Sequence, residues 1–292
     1  MGLIGKFAAS VGLRRPADNF STGHDSALAP IVLGGCGRSG TTLLRMILDS
    51  HPAICCGPES NVFRRSTLDP DELALKFDLD PGLVRAIHES AGSRPAFIEA
   101  FAALCMEHAG KRRWAEKTPR NIRRLDVIFR HFPRARFIHV LRDGRDVACS
   151  LRTHPRHKVV NCELVPLDTW KPIAGCARRW REDIERSRPY WSDPRFLTLR
   201  YEELVREPRR VLEPLMAFVG EGWDDRLLEH AGTGSPFRKV TTFAQNPEAL
   251  EPVNTRAVSR WERDLDAKDR RIFKRVAGKL LIELGYADDD DW

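Results

Sequence analysis

The sequence predicts a three-layer α/β fold, in which a central, mostly parallel sheet is flanked by helices. Three observations carry the prediction. A short β-branched run, Ile31-Val32-Leu33, breaks at Gly34-Gly35 and gives way to helical spacing at Leu44, Ile47 and Leu48. Strand and helix signals then alternate along the chain, the pattern of a parallel sheet covered on both faces. The residues richest in chemistry fall just after strand signals, where such sheets bind ligands.

The first helix ends at His51-Pro52, because the residue before proline avoids helical geometry. Ala53 to Cys56 is a short extended segment closed by Gly57-Pro58. Residues 71–109 have mostly helical periodicity, with Phe97, Phe101 and Leu104 on one face, and read as a helical insertion. Arg113 to Glu116 is the next strand, after which Thr118-Pro119 opens a helix with a capping hydroxyl and a proline in the first turn. Ala135 to Leu141 is a strand that runs into Arg142-Asp143-Gly144 and a helix through Leu151. A charged helix over Thr169 to Trp191, a strand over Arg195 to Arg200, helices over Pro208 to Val219 and Asp269 to Leu284, and a loop over residues 231–256 complete the reading.

A chain of 292 residues with 42% hydrophobic content can bury one large core. The expected organisation is an N-terminal arm at 1–29, partly disordered; one domain at 30–286 with the helical insertion at about 65–110; and a disordered acidic tail at 287–292. The formal charge of +7 suits an anionic partner, or simply a well-solvated basic surface. Seven scattered cysteines without C-x-x-C spacing form neither a disulfide framework nor a zinc site and fit a reducing, cytoplasmic setting. No apolar run approaches the roughly 20 residues that span a bilayer. Residues 2–13 have the spacing of a short amphipathic helix followed by Arg14 and Arg15, compatible with peripheral membrane contact, although a frayed terminus is the plainer expectation. His51, His131, His139 and His154 lack metal-ligand spacing, and no metal is expected.

Gly35-Cys36-Gly37-Arg38-Ser39-Gly40-Thr41-Thr42 keeps the glycine spacing of the P-loop, but Thr41 stands where that loop has the lysine that reaches β and γ phosphates. Ordinary triphosphate chemistry is therefore disfavoured. What remains is a nest of backbone N–H groups at a helix start, three hydroxyls and Arg38, suited to one compact phosphate group.

Together, Gly37 to Leu43 and Val140-Leu141-Arg142-Asp143-Gly144-Arg145-Asp146 with Ser150 resemble the two nucleotide-binding signatures of sulfotransferases that use 3′-phosphoadenosine 5′-phosphosulfate (PAPS). The resemblance is to the tyrosylprotein sulfotransferase-like subgroup in particular. It continues through Arg45 to Pro52 and Cys56-Gly57-Pro58-Glu59, and resumes at Glu116-Lys117-Thr118-Pro119, Arg200-Tyr201-Glu202, Pro252-Val253-Asn254 and Ser259-Arg260-Trp261. About half the chain is covered; the helical insertion and residues 154–194 are not.

The resemblance implies that Gly37, Arg38, Ser39, Gly40, Thr41 and Thr42 hold the 5′-phosphosulfate, while Arg142 and Ser150 hold the 3′-phosphate. It makes Glu59 the general base toward an acceptor hydroxyl, with partial burial expected to raise its pKa. Lys117, helped by Arg38, stabilises the leaving-group oxygen, and Tyr201 contacts the nucleotide or packs in the core. For Arg142 the simpler alternative is a surface ion pair with Asp143 or Asp146, and for Glu59 a capping or salt-bridged carboxylate. Two departures fall on the acceptor side: Asn61 and Glu251 replace an arginine and a lysine of the subgroup. The acceptor stays open among protein tyrosine, carbohydrate, lipid and small metabolite.

Two other functions compete. A P-loop kinase would use Asp143 to hold magnesium but lacks the lysine. A nucleic-acid-binding protein would use Arg112-Arg113, Arg123-Arg124 and Arg178-Arg179, which lie on separate elements without interleaved aromatics, so no nucleic acid is expected.

Overall fold

The computed structural model describes residues 16–20, 26–153, 156–160, 163–167, 170–232, 237 and 251–292, with the backbone alone in 156–160 and 163–167. The strands β1 (Ile31–Gly34), β2 (Ile54–Cys56), β3 (Arg113–Lys117), β4 (Arg136–Leu141) and β7 (Phe196–Arg200) form one sheet in the order β2-β3-β1-β4-β7. All four pairings are parallel. A separate antiparallel hairpin joins β5 (Arg156–Val160) to β6 (Glu163–Leu167).

The pleat divides the core. Val32, Cys55, Trp114 and Phe137 point into a phenylalanine-rich cluster, and their neighbours Ile31, Leu33, Ile54, Ala115, Ile138 and Val140 point into the opposite one. That period of two, buried on both sides, is why the strands read as continuous apolar runs. On the first face lie α2 (Pro70–Phe77), α3 (Pro81–Ser90) and α4 (Arg94–Ala109), the expected insertion. Each starts at a side-chain cap, Asp69, Asp80 or Ser93, with a proline in its first two positions. The other face packs against α1 (Thr41–Ser50), α8 (Tyr201–Arg206) and α9 (Pro208–Val219). A third cluster joins α6 (Gly144–Thr153), α7 (Ile173–Ser187), α10 (Trp261–Asp264) and α11 (Ala267–Glu283), while α5 (Leu125–His131) sits between β3 and β4 in the chain.

Several expectations are corrected. The helix after Thr118 is a 3-10 segment, Pro119–Arg123, and the Thr118 side chain does not cap it; its hydroxyl is drawn to the buried Glu116 carboxylate, 2.7 Å away. The charged helix is shorter than its charge pattern, ending at Ser187 before a 3-10 turn over Arg188–Tyr190. The tail is folded back rather than disordered: Trp292 lies edge-on to Trp261 and Phe273, with the Arg145 guanidinium 4.7 Å from its ring. One indole outweighs four aspartates because it has an apolar face to bury.

Part of the N-terminal arm is also built in. The fully buried Arg94 donates to the carbonyls of Ala17 and Asp18 in the arm and of Val62, Arg65 and Ser66 in the loop after β2. Residues 2–13 and most of the expected loop at 231–256 lie outside the described residues, as does Cys162. The other six cysteines are free and buried, the core role expected of them.

Candidate active site

Each of the five parallel strands brings one predicted site residue to its carboxyl end. β1 leads into the glycine loop, β2 into Glu59, β4 into Arg142 and β7 into Tyr201, while Lys117 is the last residue of β3. Because the chain crosses β1 between β3 and β4, these ends surround the point where the strand order switches, the crevice in which open α/β sheets bind ligands.

The loop turns on Gly40, which holds φ +94° as the cap of α1; a β-carbon there would also lie 2.3 Å from the Tyr201 ring. No side chain caps this helix, so its first N–H groups face the loop. Gly37 is less constrained, since only the movable end of a side chain approaches it. A β-carbon there would sit 2.8 Å from the Arg179 guanidinium, which α7 lays against the loop.

Arg38 and Ser150 are brought together: Arg38 Nε donates to Ser150 Oγ at 2.9 Å. The Arg38 carbonyl accepts from Arg142 Nη1 at 3.1 Å, and Arg142 Nη2 donates to the Ala257 carbonyl. Of the two roles expected of Tyr201 the structure shows the packing: its buried ring lies beneath the loop, with the Arg142 guanidinium 4.4 Å from its centroid. Arg142 does pair with Asp146, at 3.8 Å, but the pair is buried rather than on the surface. Its Nε is buried without a partner, so this cluster keeps a donor for an anion. The grouping puts Arg38 beside the residues assigned to the 3′-phosphate.

Glu59 and Lys117 meet directly. Lys117 Nζ donates to Glu59 Oε1 at 2.8 Å and stands 3.5 Å from Thr42 Oγ1 on the glycine loop. The lysine is 2% exposed and the glutamate side chain 43%, so the base faces an opening and the cation is enclosed. Glu59 does not have the raised pKa expected for it. Burial pushes the carboxyl up, but the Lys117 ammonium, by charge and by hydrogen bond, together with Lys76 and Arg64 leaves it below the ordinary value. The salt-bridged glutamate and the candidate base are thus the same residue.

Behind this pair stands a carboxylate that sequence reasoning quoted but gave no role. Glu116 is fully enclosed and accepts from Ser60 Oγ and Thr118 Oγ1, both at 2.7 Å, and from Asn121 Nδ2. Burial raises its pKa, against the pull of those hydrogen bonds. It therefore fixes the Glu59 loop to the end of β3. Only its place within the Glu-Lys-Thr-Pro run marked it.

Asn61, where the subgroup has arginine, holds φ +59°; its Oδ1 accepts from Arg64 Nε at 3.0 Å. Arg120 feels Arg179, Arg64 and Arg123 as neighbouring charges, and with burial first among the causes its pKa is lowered. Among the described residues neither Arg64 nor Arg120 forms a salt bridge, although Glu59 and Asp183 act on them as neighbouring charges, and both are exposed. Exposed arginine charge thus stands next to Asn61, where the subgroup's own arginine is missing. Glu251 pairs with Arg256 at 3.0 Å, which cancels its charge locally.

Competing chemistries fit less well. Both Asp143 oxygens are taken by Arg145, leaving no free carboxylate to hold magnesium. Arg112 and Arg113 pair with Glu221, and Arg123 with Asp183, so the basic runs do not form one open face. Among the described residues no three metal-ligating side chains cluster, and no helix is long and apolar enough to cross a membrane. His139 sits in the core, where burial lowers its pKa to about 4.

Residues 30–225 match the model of a family described as the sulfotransferase family. The chain is similar to a protein-tyrosine sulfotransferase of Drosophila melanogaster, at 28% identity over 88% of this chain and 51% of the relative. A Danio rerio protein-tyrosine sulfotransferase 1 is 27% identical over 93% of this chain and 77% of its own length. The chain thus spans about half the length of the fly protein. In three dimensions it is similar to the sulfotransferase domain of the Synechococcus PCC 7002 olefin synthase, with a TM-score of 0.64, 20% identity, and coverage of 89% and 96% of the two chains. Mouse sulfotransferase SULT7A1, solved in complex with PAP, aligns with a TM-score of 0.56 at 16% identity over 90% and 89%. At these identities the structures speak for the fold.

Proposed function

We propose, from the premise that this chain belongs to the sulfotransferase family, that it transfers the sulfuryl group of PAPS to an acceptor hydroxyl by in-line displacement, with Glu59 as general base. The observation that carries the reading is the position of Lys117, bonded to Glu59 at 2.8 Å and 3.5 Å from Thr42 on the phosphate loop. One buried cation then serves both ends of the reaction.

Glu59 takes the proton of the acceptor hydroxyl as its oxygen bonds to sulfur. The bond from sulfur to the bridging phosphate oxygen breaks, and Lys117 meets the charge that develops there. The glycine loop cradles the 5′-phosphate, and Arg142, Arg38 and Ser150 take the 3′-phosphate by charge-assisted hydrogen bonds. Arg142 suits that task because it is pre-oriented by Tyr201 and keeps a buried, unpaired Nε. The depressed pKa of Glu59 keeps it ionised, and so ready to accept a proton, at neutral pH.

For the acceptor, the names of the relatives favour a tyrosine hydroxyl of a protein. Arg64 and Arg120 support an acceptor with negative charge near that hydroxyl. The test is incubation with donor labelled in the sulfate and a panel of tyrosine peptides, acidic and neutral, alongside sugars and lipids, read by mass spectrometry. Sulfated peptide with equimolar release of 3′,5′-bisphosphoadenosine is expected. Transfer to none of them, with greater thermal stabilisation by magnesium-ATP than by the bisphosphate, would contradict it.

A further inference from the structure

Arg142 is held by a stretch of chain far from the phosphate loops. The carbonyl of Ala257 accepts from Arg142 Nη2. Two and four residues further on, the backbone N–H groups of Ser259 and Trp261 donate to the two carboxylate oxygens of Asp146, at 2.9 and 3.0 Å. The same Asp146 Oδ2 lies 3.8 Å from Arg142 Nη2, and the aspartate side chain is wholly buried. Ser259 sits at φ +57°, a backbone state that a serine holds only when its surroundings enforce it. The Arg145 guanidinium lies over the Trp261 ring, 3.9 Å from its centroid.

We propose that Asp146 is a positioning residue that latches residues 257–261 across Arg142, so that the 3′-phosphate of the donor is recognised only while this latch is closed. The inference rests on the donor being a 3′-phosphorylated nucleotide. A carboxylate is the side chain the geometry needs: it accepts from two N–H groups at once and attracts the guanidinium between them. Asparagine can accept from one N–H and must turn its own donors toward the other. A carboxylate in this position is also costly, because burial disfavours its charge more than Arg142 restores it. The sites that keep such a group are those that use it.

Two measurements test the latch. In Asp146→Asn, affinity for 3′,5′-bisphosphoadenosine should fall about tenfold or more, while affinity for 5′-AMP changes less than about twofold. The donor KM should rise while kcat moves by less than about threefold. Equal losses for both nucleotides, or undiminished preference for the bisphosphate, would overturn the proposal. In the unsubstituted protein, hydrogen exchange at the Ser259 and Trp261 amides should slow on adding the bisphosphate and not on adding 5′-AMP. Exchange unaffected by either would overturn it without relying on a variant that folds. If the unsubstituted protein binds the two nucleotides equally, the 3′-phosphate reading itself fails and takes the latch with it; discrimination that survives in Asp146→Asn removes the latch alone.

Discussion

Around the donor loop the cations are tied in place, Arg142 buried and Arg38 half-buried. Arg142 is gripped by Arg38, Ala257, Asp146 and the Tyr201 ring, and Arg38 by Ser150. Around Glu59, outside the enclosed Lys117, the arginines Arg64 and Arg120 are exposed and loosely held. Arg64 rests on a neutral asparagine, Arg120 has other arginines for neighbours, and Glu59 itself opens outward. The contrast teaches what each half is for. A nucleotide of fixed shape is met by pre-oriented donors, whereas an acceptor that must enter and leave is met by a positive rim on long side chains, which steers it more than it grips it.

Variants that strike one half and spare the other sharpen this division. Glu59→Gln should lower kcat by about 10²- to 10⁴-fold while donor affinity stays nearly intact, measured by turnover beside titration with bisphosphoadenosine. Unchanged turnover would remove Glu59 from the chemistry. Arg142→Ala should do the reverse, weakening binding of the 3′-phosphorylated nucleotide by about 10- to 100-fold and leaving the acceptor KM unmoved. Arg64→Ala and Arg120→Ala should each raise KM for an acidic acceptor by only about 3- to 10-fold at low salt, with the difference fading above roughly 0.5 M as the rim is screened. If salt makes no difference, the rim does not steer. The smallest effect lies at the edge of the donor half: Trp292→Ala, which removes a ring packed on Trp261, should cost about 1 kcal/mol, lowering Tm by ~2–4 °C with kcat unchanged.

The same contrast governs how much was legible in the sequence. Strand ends, the glycine loop and the Arg142-to-Ser150 spacing are local patterns, and the structure places them where the pattern puts them. The contacts that give those residues their roles are not local. Asp146 meets Ser259 and Trp261 across more than a hundred residues, Arg179 reaches Gly37 from a helix outside the matched motifs, and Arg94 ties the N-terminal arm to the Glu59 loop. No spacing rule announces such pairs. Composition misled at the tail, where the aspartates spoke louder than Trp292. Partial burial misled at Glu59, because the sign of its shift depends on Lys117, a strand away in the fold and distant in the chain.

Lys117 joins the two halves, and its removal tests the account most directly. Lys117→Met replaces a buried ammonium by an apolar chain of similar length, so the core around it need not collapse. With the ammonium gone, the leaving oxygen loses its cation, and turnover should fall by about 10²- to 10³-fold. Glu59 also loses the charge and hydrogen bond that hold its pKa down. A base works in its deprotonated form, so the acid limb of kcat/KM, which lies below the usual glutamate value of about 4.3 in the unsubstituted enzyme, should move to higher pH in the variant. A pH profile of kcat/KM for both proteins reads the two effects together. A variant that keeps its turnover, with the acid limb where it was, would contradict the claim that one lysine links the base to the phosphate loop.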